Sequence, residues 1–89
     1  MRRYLAELYL PKGTATEVAS AAARARAAAA ELENAGIEVR CMRSIFVPED
    51  ETWFLLYDAP TAAAVKRAIE HAALPCARIV EAVERGAEP

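Results

Sequence analysis

Eighty-nine residues with a formal charge of −2 and a 55% apolar content describe one small domain with enough hydrophobic material for a core, much of it alanine. Charges of both signs are interleaved, with no basic patch and no aromatic residues set among Lys and Arg, so nucleic-acid binding is not expected. No apolar run is long enough to span a membrane, and two cysteines, Cys41 and Cys76, are too few for a disulfide framework and are not spaced as CxxC.

The chain opens with MRRYLAELYLPKG. Its apolar part is short, contains Glu7 and is followed by no small-residue cleavage site, so it reads as a first strand of a cytoplasmic protein rather than a signal peptide. Alternation puts Tyr4, Ala6, Leu8 and Leu10 on one face and Arg3, Leu5, Glu7 and Tyr9 on the other. Pro11-Lys12-Gly13 ends the strand. A helix follows, opened by Thr14 with Glu17 three residues on, the form of a capping box. Its buried stripe is Val18, Ala21, Ala22, Ala25, Ala28, Ala29 and Leu32, and Gly36 supplies a left-handed stop.

The second strand is expected from Ile37, with Ile37, Val39 and Cys41 on one face and Glu38, Arg40, Met42 and Ser44 on the other. Arg43-Ser44 interrupts the pattern and marks a bulge or a change of buried face. Ile45-Phe46-Val47 leads into an acidic turn, Pro48-Glu49-Asp50-Glu51. A third strand, Thr52 to Tyr57, is apolar on both faces, as a central strand is. Most of the aromatic residues fall in this hairpin, which places the core there. The turn carboxylates lack the spacing and the glycine of a calcium loop and read as a solvated tip.

Thr61 caps a second helix with Ala64, Val65, Ala68, Ile69 and Ala72 inward, ended by Leu74-Pro75. A fourth strand, from about Arg78 to Val83, points Ile79, Glu81 and Val83 one way and Val80 and Ala82 the other. The order β-α-β-β-α-β is the ferredoxin-like α+β pattern: a four-stranded antiparallel sheet with the first and third strands central and both helices on one face. Residues 1–84 form this single domain, and 85–89 are expected to be a flexible tail.

The uncovered sheet face is then expected to carry Glu7, Tyr9, Arg40, Met42, Ser44 and Glu81, a mixture that calls for a partner or a ligand. Trp53 is a further candidate lining residue. Glu7, with Tyr9 and Arg40 as neighbours, is the candidate acid or base if the cleft is catalytic, by analogy with isomerase, monooxygenase or cyclase chemistry on this fold. No nucleophile triad, HExxH, P-loop or dinucleotide fingerprint is present.

FVPEDETWFLLYDAPTAAAV followed by LPCARIVEAVE resembles the small nickel-binding-protein-like family, otherwise a domain of unknown function. The blocks agree in order from the hairpin turn at Phe46 to Trp53, through Ala59-Pro60-Thr61 and Leu74-Pro75, to Arg78-Ile79-Val80-Glu81. The resemblance implies a ferredoxin-like fold, a dimer, and nickel or another divalent transition metal as a ligand. It also implies a first-strand histidine in the metal-binding relatives, where this chain has Tyr9. The remaining soft donors are His71, Cys41 and Cys76, which are weakly placed for one intrachain site. Three readings follow: a homodimer binding a metal or small ligand at its sheet face or interface, a small enzyme using Glu7, and a ligand-free structural module.

Overall fold

The computed structural model describes residues 1–10, 14–75 and 78–83. The expectations for Pro11-Lys12-Gly13, for Cys76 and for the 85–89 tail lie outside these residues. In order the elements are β1 (Arg2–Tyr9), α1 (Ala15–Asn34), β2 (Arg40–Val47), a 3-10 turn (Pro48–Asp50), β3 (Thr52–Ala59), α2 (Ala62–His71) and β4 (Arg78–Ala82). The sheet order is β2-β3-β1-β4, with every neighbouring pair antiparallel. This is the expected ferredoxin-like arrangement, with β1 and β3 central.

The alternation that builds the core is clearest in the two central strands. Tyr4, Ala6 and Leu8 of β1, and Trp53, Leu55, Tyr57 and Ala59 of β3, are all buried. They join the inner stripes of α1 and α2 in one cluster, with Val39 from the β2 approach. Alanine at Ala21, Ala22, Ala25 and Ala29 lets α1 lie close to this sheet surface, at the cost of little apolar area per residue. The other alternates of β1 and β3 form the uncovered face.

The helix ends are built locally. Thr14 Oγ1 accepts from the Glu17 backbone N–H at 3.1 Å, and the Thr14 hydroxyl donates to the Glu17 carboxylate, so the expected box has its N-cap half. Thr61 Oγ1 accepts from Ala64 N–H at 3.2 Å in the same way. At the far end of α1, Gly36 has φ +94° and Ile37 N–H reaches back to Leu32 C=O at 2.9 Å, a Schellman closure. The end of α2 differs from expectation. The helix stops at His71, where Ala73 takes φ +57° and Leu74 N–H bonds Ile69 C=O at 3.2 Å. The stop is thus a second Schellman motif, reached before Pro75 can act.

β2 also departs from expectation. It begins at Arg40 rather than Ile37, and its bulge falls one residue earlier than the Arg43-Ser44 interruption suggests. Cys41 pairs with Tyr57 and Arg43 with Leu56, which leaves Met42 as the extra residue. The extra residue shifts the parity of everything after it.

Candidate functional site

The paired registers resolve the open face into rows across the sheet. Arg40, Asp58, Arg3 and Ala82 lie in register at one end. Next come Arg43, Leu56, Leu5 and Val80, then Ile45, Phe54, Glu7 and Arg78, and finally Val47, Thr52 and Tyr9. The middle rows give a continuous apolar strip, on which Ile45 is 54% and Val80 37% exposed. Arginines and carboxylates border it.

The ion pairs on this face are specific. Arg3 Nε donates to Asp58 Oδ1 at 3.1 Å, and Arg78 Nε lies 3.3 Å from Glu7 Oε2. The Tyr9 hydroxyl donates to Glu51 Oε1 at 3.1 Å. That bond, followed by the charge of Glu51 and a small desolvation effect, holds the Tyr9 phenol above its ordinary pKa of 10.0. Arg40 and Arg43 make no hydrogen bond or ion pair with the described residues. A cleft of about 280 Å³ opens at this end, lined by Arg3, Arg43, Leu56, Ala82 and Val83.

The candidate residues sort unevenly onto this surface. Glu7 and Tyr9 occupy the open face, as does Arg40. Arg40, however, lies two strands and two rows away from Glu7, roughly 16 Å by strand spacing and rise, so the three do not converge. Met42 is the bulged residue and is 39% exposed. Ser44 and Trp53 are not on the open face. The bulge turns Ser44 inward opposite Leu55, where its hydroxyl accepts from the indole N–H of Trp53, itself 1% exposed in the core. Glu81 pairs in register with Tyr4, on the helix side of the sheet, and its carboxylate lies 3.7 Å from Arg2. Sequence reasoning missed Arg43, Leu56 and the Arg3–Asp58 pair. The signal was the odd spacing between Cys41 and Phe46, both of which pack on the core.

The soft metal donors among the described residues, His71 and Cys41, are apart from this face. His71 Nε2 lies 3.2 Å from Glu31 Oε1 on the outer surface of the two helices. Cys41 sits half-buried on the helix side of β2. Burial pushes its thiol above the ordinary value of 9.0, while Arg26 and a hydrogen bond from Tyr57 act the other way. Among the described residues no group of three or more His, Cys, Asp or Glu side chains could hold a metal ion. The donors among the described residues do not fit an intrachain nickel site.

The family described as nickel responsive protein SCO4226-like matches residues 4–82, and the chain belongs to it. The crystal structure of SCO4226 from Streptomyces coelicolor A3(2) superposes with a TM-score of 0.76 at 22% identity, covering 94% of this chain and 99% of that one. At that identity the likeness speaks to the fold. No curated protein matches. No helix among the described residues is long and apolar enough to cross a membrane.

Proposed function

We propose that this chain is a non-catalytic, homodimeric binding protein whose open sheet face is both the subunit interface and the ligand surface. The observation that carries this reading is the apolar strip on the open face, with Ile45 and Val80 exposed and Leu5, Phe54 and Leu56 half-buried, bordered by charges of both signs. An isologous interface needs such a mixture, because one patch must complement its own copy. Four strands of up to eight residues give a face of about 500 Å², from strand spacing and rise. Two copies would therefore cover about 1,000 Å², at the lower bound for specific association, so a weak and concentration-dependent dimer is expected.

The family name attaches nickel responsiveness to these proteins. In a sheet-face dimer His71 and Cys41 lie on the far side of each sheet, and the interface offers oxygen donors from Glu7, Tyr9 and Asp58. Nickel favours imidazole and thiolate, so this surface suits an organic ligand better than a transition metal.

Light scattering on the wild type and on Phe54→Lys tests the interface. The variant should halve the mass, while Ala23→Lys on the exposed side of α1 should leave it unchanged. Metal content of the untagged protein and a nickel titration test the ligand class. Stoichiometric nickel, lost in His71→Ala or Cys41→Ser, would overturn the preference for an organic ligand.

A further inference from the structure

We infer that the cleft between Arg3 and Arg43 binds a small organic carboxylate with an apolar body. The inference rests on the reading of the open face as the ligand surface and names the class of ligand it takes. Four arginines, Arg3, Arg40, Arg43 and Arg78, stand in the registered rows of this face against two carboxylates, Glu7 and Asp58. Glu7 is engaged by Arg78, and Asp58 by Arg3. The surplus falls at one end, on Arg40 and Arg43, which have no partner among the described residues.

Symmetry makes this surplus hard to remove. Apposing these rows with those of a second copy brings four more arginines and two more carboxylates, so the imbalance doubles. The carboxylates of the hairpin tip lie at the opposite end of the sheet, and Glu51 there is held by Tyr9. Among the registered rows of described residues no carboxylate is left over for the basic end, which can therefore take an added anion.

The rest of the cleft gives that anion its character. Arg43 reaches the open face because Met42 is inserted before it, the kind of re-aiming that bulges perform near binding sites. A guanidinium there can take a carboxylate in a fork of two hydrogen bonds. Leu56, Ala82 and Val83 supply an apolar floor and wall beside it. The volume, about 280 Å³, is near the lower end of small-molecule sites and suits a compact acid rather than a nucleotide.

The test is an NMR titration of the full chain with benzoate, benzamide and inorganic phosphate, with mass followed by light scattering in the same samples. Benzoate should shift Leu56, Ala82 and Val83 saturably, benzamide and phosphate should not, and Arg43→Gln should weaken benzoate at least tenfold. No benzoate response at these residues, an unchanged affinity in Arg43→Gln, or an equal response to phosphate would overturn the proposal. A monomer that still binds benzoate here refutes the dimer and leaves the cleft standing. A dimer without a benzoate response does the reverse.

Discussion

Ala73 and Gly36 occupy the same place in two helix ends, each the left-handed residue of a Schellman closure, and only one of them is a glycine. A β-carbon at positive φ costs about 1–2 kcal/mol, partly offset by the extra chain entropy glycine loses on folding. Ala73→Gly should therefore raise the unfolding free energy by about 0.5–1 kcal/mol, and Gly36→Ala should lower it by about 1 kcal/mol. Nothing lies within 4 Å of a β-carbon built on Gly36, so its loss is purely conformational. Urea denaturation of both variants gives the two signs directly.

Tyr9 carries a second prediction at this scale. Its folded-state pKa is raised, so the folded chain holds that proton more tightly than the unfolded one. The bond to Glu51 is complete below pH 10.0 and is lost as the pH rises through the folded value. Glu51→Gln removes the carboxylate's charge and should move the tyrosinate absorbance transition of Tyr9 down toward that ordinary value. A transition that does not move would separate Tyr9 from Glu51.

At the scale of elements, β2 shows what an inserted residue does. Cys41 and Ser44 both face the core although they are three apart, because Met42 is unpaired. Deleting Met42 would leave Cys41, Arg43, Ser44 and Ile45 in plain alternation with their present faces, so the deletion should fold with native Trp53 fluorescence. Deleting Ser44 instead would keep Ile45 and Phe46 on their present faces but turn Arg43 inward opposite Leu55 and remove the acceptor of the Trp53 N–H, and should unfold the chain or break the sheet edge. Ser44→Ala would strip the buried Trp53 N–H of its acceptor and should cost about 1–3 kcal/mol in urea denaturation.

The same strand marks the limit of what the sequence could tell. The faces of β1 were legible because Tyr4, Ala6 and Leu8 alternate with more polar residues, whereas β3 is apolar on both faces, so Trp53 was expected to line the site and lies in the core. From Arg40 to Ile45 one extra residue could sit at any of several polar or flexible positions, and each choice assigns different residues to the open face. Ser44 was accordingly expected outside and lies inside, and Arg43 went unnoticed. At the end of α2 the visible signal was Pro75, whereas the chain had already turned at Ala73, an alanine that carries no composition cue for a left-handed residue. Glu7, Tyr9 and Arg40 were assigned the correct face, and the expected strand order already put β3 between Arg40 and the other two, but the register that adds to their separation is a tertiary fact.

At the scale of the whole molecule, the fold covers one side of the sheet and leaves the other bare. The covered side holds every large, fully buried side chain, from Trp53 and Tyr57 to Val65. The bare side carries the apolar strip, Arg40 and Arg43, which have no partner among the described residues, and the cleft, while His71 and Cys41 belong to the helix side. The proposed dimer and its proposed ligand class both rest on that division. In the proposed dimer two bare faces meet. Sedimentation equilibrium of the untagged wild type over a wide concentration range tests it most directly. The mass should rise with concentration to twice the 9.7 kDa of one chain. A mass fixed at one chain at every concentration would contradict it.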